Sequence, residues 1–251
     1  MSIVTPDQAT GSADGADVRA ELDVVVLHPR DAAAAATGGA DRLLLSTDPE
    51  DGHYSPEPAL VSAVVKETDL PVWVVLRTRD GHFGRLASLG ETFLELGARG
   101  VAYGFLDRDL EIDRESCAEL CAELGGVPWL FHGFDAALDA DHAWRDVLGL
   151  PGLASVISAG STRGLSHGAD ELIARARRDP RVAELVTAGG GLTPDLVPWL
   201  VRAGVHRFAI GSAARVGSSW TRGSVDVDHV RSWRMLVDDA LSRAMGIPVD
   251  D

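Results

Sequence analysis

Residues 185–197 read LVTAGGGLTPDLV. An apolar run of strand type, ELVTA (184–188), gives way to Gly189, Gly190 and Gly191, and then to TPDLVPWLVRAG (193–204), whose apolar spacing and Pro194 suit the start of a helix. Glycine serves where the backbone turns sharply or approaches a ligand closely, and the first turn of a helix leaves amide N–H groups unpaired. Such a junction suits an anion. A tight turn without a ligand is the alternative reading of the same residues.

The same strand-then-helix unit recurs along the chain. Apolar runs of strand length stand at LDVVVL (22–27), RLLLS (42–46), VWVVLR (72–77), GVAYG (100–104), WLFH (129–132), ASVIS (154–158), ELVTA (184–188) and HRFAIG (206–211). Helical stretches separate them: RDAAAAAT, PALVSAVVKET, FGRLASLGETFLELG, DRESCAELCAELG, DADHAWRDVLG, GADELIARARR and TPDLVPWLVRAG, with VDVDHVRSWRMLVDDALSRAM after the last run. Apolar residues at three and four spacing, such as Leu60, Val61, Val64 and Val65, mark a buried stripe, and Gly97, Gly125 and Gly204 follow helices as caps. Eight alternations predict an α/β fold of one domain, a (β/α)8 TIM barrel over residues 21–251. A doubly wound open sheet is the alternative. Residues 1–20 are small, polar and aperiodic, and are expected to form a disordered N-terminal tail.

At 251 residues the chain has the size of one such barrel. Its formal charge is 23 − 38 = −15, which argues against nucleic acid or an anionic membrane as partner. No apolar run approaches the ~20 residues that cross a bilayer. The N-terminal stretch has neither the basic nor the apolar region of a secretory signal, so a cytoplasmic location is expected. Cys117 and Cys121 lie four apart on one predicted helix and read as buried packing, since two thiols without a third ligand make a poor metal site.

In a barrel of this kind the chemistry lies at the C-terminal ends of the strands, and phosphate is held by the loops after strands 7 and 8. Those ends supply His28, Ser46, Arg77, Arg79, Asp107, His132, Asp135, Ser158, Gly160, the Gly189–Gly191 run, Gly211 and Ser212. The triple glycine after strand 7 and IGSAAR after strand 8 together predict an anion cup formed by Gly189, Gly190, Gly191, Gly211, Ser212 and Ala213, with Arg79, Ser158 and Gly160 as further anion-binding candidates. Period-two alternation groups Arg77 with Val75 and Trp73, Ser46 with Leu44 and Arg42, and His132 with Leu130. Arg42 then lies low in the barrel beside Asp23, a structural ion pair in preference to a catalytic one. His132, three residues before Asp135, is the candidate general acid or base, with a plain hydrogen-bonded histidine as the alternative. Arg77 and Arg79 point the same way to clamp a carboxylate or phosphate, or else pair with acidic loop residues such as Asp107. The catalytic candidates are thus His132, Arg77 and Asp135.

GGADRLLLS (38–46), PVWVVLRTRDGHF (71–83), FHGFDAALD (131–139), VISAGS (156–161), TAGGGLT (187–193) and GSAAR (211–215) resemble, in order and spacing, motifs of the copper homeostasis protein family CutC, whose stretches read GGADRIELC, FHRAFD and GGGI. The resemblance runs from about residue 22 to 237. It implies a TIM barrel, a cytoplasmic location, and a homodimer or larger homo-oligomer. The family pattern is kept at Asp23, Arg42, Arg77, Arg79, His132, Phe134, Asp135, Ser158, Gly160 and Gly189–Gly191. It is lost at Val25 and Ser46, where members often carry cysteine, at Leu27 for an Asp, at Leu44 for a Glu, and at Gly133 for the Arg of FHRAFD. These losses turn the strand 1 and strand 2 wall of the mouth apolar, while strands 3, 5, 6, 7 and 8 keep polar groups.

Copper is implied by the family name alone; Cu(I) prefers thiolate and thioether ligands, so no cofactor and no metal site are expected. His28, His53, His82 and His132 have no spacing that marks a divalent site. The expectation is a CutC-like barrel with a small anionic molecule at its C-terminal face. A lyase or isomerase acting on a phosphate- or carboxylate-bearing metabolite is one alternative, and an inactive barrel acting through its surface is another.

Overall fold

The structure, a computed structural model, describes residues 19–47 and 49–246. Its strands are β1 (Glu21–Val26), β2 (Arg42–Leu45), β3 (Val72–Val75), β4 (Gly100–Tyr103), β5 (Trp129–Phe131), β6 (Leu153–Ser158), β7 (Val186–Ala188) and β8 (Arg207–Ile210). They pair in parallel in sequence order and close into a barrel with β1 against β8. Runs such as VVV and LLL suit these strands because both faces of a parallel barrel strand are covered. The helices outside are α1 (Pro29–Gly38), α2 (Pro58–Lys66), α3 (Phe83–Glu95), α4 (Arg114–Glu123), α5 (Ala140–Val147), α6 (Leu165–Arg178), α7 (Pro180–Leu185), α8 (Val197–Arg202) and α9 (Val227–Met245).

Two apolar layers follow from strand alternation. Val24, Leu43, Val74, Val101 and Phe208 face outward into the shell beneath the helices. Val25, Leu44, Trp73, Val75, Ala102 and Leu130 fill the barrel interior, with Leu44, Trp73, Val75 and Leu130 on the faces that alternation predicted. Low in that interior Asp23 faces Arg42 across the β1–β2 register and accepts its Nε at 2.8 Å and its Nη2 at 2.6 Å. The guanidinium also lies 5.1 Å over the Trp73 ring and 3.5 Å from Glu21. Burial pushes the Asp23 carboxyl up to about 6, with Arg42 acting against that rise.

Three boundaries differ from the sequence expectation. Glu184 and Leu185 belong to α7 and not to the seventh strand, because Pro180 opens that helix and the Asp179 carboxylate caps it by accepting from Arg181 N at 3.0 Å. The helix after the triple glycine begins only at Val197, so Pro194 sits in a turn and the glycines do not lead directly into a helix. Ala20, assigned to the tail, is buried, and its carbonyl accepts from Arg234 Nη2 at 2.6 Å. The rest of the expected tail, residues 1–18, lies outside the described residues. Among the described residues no helix is long and apolar enough to cross a membrane.

Cys117 and Cys121 are buried on α4, as expected. Burial pushes the Cys117 thiol up to about 12. Gly97 and Gly204 follow their helices with φ of 100° and 91°, the left-handed geometry of a helix stop.

Candidate functional site

At the C-terminal ends of the strands a cavity of about 940 Å³ opens, lined by residues from the loops after β2, β3, β5, β6, β7 and β8. His132 follows β5 directly and faces this cavity together with Arg77 and His53. The His53 and His132 rings meet edge to face with centroids 5.7 Å apart, and His53 makes a second such contact with Trp220 at 5.6 Å. Ser46 fixes His53 through a 2.8 Å bond between Oγ and Nδ1. His53 has φ of 59°, a left-handed conformation that is strained for a histidine, so the loop holds this ring in place at a cost.

Burial pushes His132 down to about 3, with nearby His53 and then Arg77 adding to the effect. Burial followed by Arg77 brings His53 down to about 4. Both imidazoles are therefore neutral at pH 7. A neutral imidazole is a poor proton acceptor when its conjugate acid lies near 3, but it donates a hydrogen bond well. Burial thus holds the His132 imidazole, the candidate general acid or base, in its neutral form.

Asp135 faces another task. It accepts Ser158 Oγ at 2.6 Å and Ala159 N at 2.7 Å, while Ser158 Oγ also accepts Gly160 N at 3.0 Å. The carboxyl thus ties the loop after β5 to the end of β6. Burial raises its pKa, and the Ser158, Ala159 and Gly160 hydrogen bonds pull against that rise. No hydrogen bond connects Asp135 with His132 among the described residues, so the structure does not assemble them as a pair.

The anion-binding candidates separate into two sets. Gly190 and Gly191 have φ of 85° and 84° and are exposed to the cavity. No hydrogen bond within the described residues engages the N–H groups of Gly190, Gly191, Ser212 or Ala213. Ser212 and Ala213 open a short 3-10 turn, Ser212–Ala214, which explains why their N–H groups lack intrahelical partners. The helix that begins beside the glycines is α6, whose Leu165 N donates to Gly190 O at 2.9 Å.

Gly189 and Gly211 line the same cavity and Gly160 does not, and all three also have packing roles. A Cβ on Gly160 would stand 2.4 Å from Gly168 O, so this residue lets the β6 loop lie against α6. Gly189 is buried, donates to Ser158 O at 3.1 Å, and faces Ala209. A Cβ on Gly211 would meet Trp220 Cη2 at 2.2 Å, so the space it leaves is taken by an indole. Arg79 does not line the cavity; it pairs with Asp51 at 2.6 Å and stacks 4.4 Å over Tyr54. Arg77 does line it, with Nη1 donating to Gly52 O at 2.9 Å. Asp107 pairs with neither arginine: it accepts from Asp109 N and Glu111 N within its own turn.

One buried ion pair was not anticipated. Asp31 at the start of α1 and Arg215 after β8 are both buried, and Arg215 Nη2 donates to Asp31 at 2.8 Å. Asp31 also accepts from Leu27 N at 3.0 Å and Val225 N at 3.1 Å. The Arg215 guanidinium lies 5.3 Å over Trp220, so the pair holds that indole at the cavity rim. Trp220 carried a signal of its own, a lone aromatic in a loop of Gly, Ser and Arg.

For copper, the donor set does not fit. Neither cysteine lines the cavity, Val25 and Leu44 do, and two imidazoles without sulfur suit Cu(I) poorly. Among the described residues no group of three or more His, Cys, Asp and Glu side chains is placed to hold a metal ion.

Comparison with known proteins gives a consistent relationship. The profile of the CutC family matches residues 20–214. A CutC protein of Xylella fastidiosa is 27% identical over 217 residues, 81% of each chain. The human copper homeostasis protein cutC homolog is 31% identical over 180 residues, 68% of this chain and 65% of the human one. The crystal structure of a CutC from Streptococcus agalactiae superposes with a TM-score of 0.66 at 18% identity, covering 76% of this chain and 98% of the other.

Proposed function

The chain belongs to the CutC family, of which the human relative carries the copper homeostasis name, and from that premise we propose that its barrel mouth binds a small metabolite bearing a phosphate or carboxylate. The observation that carries the proposal is the set of four unengaged N–H donors, on Gly190, Gly191, Ser212 and Ala213, that border one cavity from two adjacent strand ends. Backbone donors in such a concavity favour an oxyanion, and the positive end of α6 lies beside them. Arg77 brings a positive charge to the same cavity. Asp135, the carboxyl that would repel an anion, is occupied by Ser158 and Ala159.

His132 is the group we assign to orienting the ligand: as a neutral donor it can hold a hydroxyl or carbonyl oxygen without competing for the anion. An approaching anion favours protonation of His132 and His53, so binding is accompanied by proton uptake below neutral pH. A lyase or isomerase reaction would use His132 as an electrophile in the same place. We extend the proposal to assembly as a cytoplasmic homodimer or larger homo-oligomer, for which light scattering gives the mass.

The test is a thermal shift with inorganic phosphate. At a hundredfold excess over Kd the wild type gains ~2.7 kcal/mol, about 5–10 °C for a chain of this size. Ser212→Asp, which sets a carboxylate among the donors, removes the gain. Absence of any shift in the wild type overturns the proposal.

A further inference from the structure

We infer that the ligand of this mouth is amphipathic, an oxyanion joined to a flat apolar or aryl group, and that Trp220 is the platform for that second part. The inference rests on the oxyanion reading of Gly190, Gly191, Ser212 and Ala213, and adds the class of molecule. Three features carry it.

The first is the way Trp220 is held. Its ring lies against Gly211, where any side chain would collide with it. One face is covered by Arg215, whose guanidinium is locked by the buried Asp31. With Arg215 over the indole and His53 meeting it edge to face, Trp220 still lines the cavity.

The second is the company it keeps. Trp220 packs with the barrel-interior cluster of Val25, Leu44 and Trp73, and Val25 and Leu44 themselves line the cavity. The strand 1 and strand 2 wall therefore offers no charge. The third is His53, a ring held neutral and edge to face with Trp220. A sugar phosphate, whose every carbon beyond the anion bears a hydroxyl, would leave those hydroxyls unpaired against this wall. An aryl group would bury apolar area and stack with the rings instead.

Methyl phosphate and phenyl phosphate separate the two parts, because both carry the same anionic head and only one carries a ring. In calorimetric titrations against the full chain, phenyl phosphate binds about tenfold more tightly than methyl phosphate. Trp220→Ala brings the ratio to within about twofold of one and leaves methyl phosphate affinity unchanged within the same margin. Gly211→Ala, which displaces the indole while retaining it in the sequence, gives the same collapse of the ratio and guards against a folding defect in the first variant. If methyl and phenyl phosphate bind equally to the wild type, the aromatic platform is refuted while the oxyanion site stands. If methyl, phenyl and inorganic phosphate all fail to bind, the oxyanion reading falls and the platform with it.

Discussion

Replacing Asp31 by alanine tests the buried pair that supports the mouth. The change strands the Arg215 charge in a fully buried position and also frees the N–H groups of Leu27 and Val225. Removing one partner of such a pair costs about 3–5 kcal/mol. At 2–4 °C per kcal/mol for a domain of this size, the melting temperature falls by about 6–20 °C. Urea unfolding read by far-ultraviolet circular dichroism gives the free-energy change directly. Arg215→Met in the Asp31→Ala background replaces the stranded charge by an apolar side chain of similar reach, and recovers about half of the loss or more. The reasoning is refuted if Asp31→Ala lies within about 1 kcal/mol of wild type, or if the double variant shows the sum of the two single losses.

Acid sensitivity follows from the two histidines. They sit at about 4 and about 3 in the fold but near 6.5 once unfolded, so between those values the unfolded chain binds more protons and stability falls as pH falls, at ~1.4 kcal/mol per unit for each group. Asp23, raised to about 6, acts in the opposite direction: its contribution is full below about 3.9 and is lost as pH rises through 6, so it offsets one histidine over that range. Urea unfolding at pH 7, 6, 5 and 4 should therefore show the wild type losing more stability on acidification than His53→Gln/His132→Gln; parallel curves contradict the assignment. Asp23→Ala destabilises by less than Asp31→Ala, because Arg42 retains Glu21 at 3.5 Å and the Trp73 ring, and the same denaturant series ranks the two. In competition with a Cu(I) chelator the protein takes up no stoichiometric copper; uptake abolished by Cys117→Ser would show that a buried thiol is a ligand after all.

The barrel was legible because the strands are short apolar runs and the longer helices carry an amphipathic stripe, a pattern that survives small errors at the ends. The start of the seventh strand, at Glu184 and Leu185, was misplaced for a local reason: the Asp179 cap and Pro180 at the helix start outweigh the strand character of Leu185. Within the site, strand alternation placed Arg77 and His132 at the cavity and Asp23 beside Arg42, since period two fixes a side chain's face once its strand is known. Alternation says nothing about loops. Arg79 turned to Asp51, Gly211 received Trp220, and Gly160 served the approach of α6, all through contacts between segments distant in sequence. His53 reached the mouth by a left-handed backbone that no side-chain pattern signals, and Asp31 met Arg215 across 184 residues.

The central claim is that four backbone donors at the ends of β7 and β8 form an oxyanion site. A crystal structure of the wild type grown with saturating phosphate tests it most directly. The account predicts tetrahedral density with oxygens about 3 Å from the N atoms of Gly190 or Gly191 and of Ser212 or Ala213. Density for water alone at those donors, or the protein's own side chains folded over them, would contradict it.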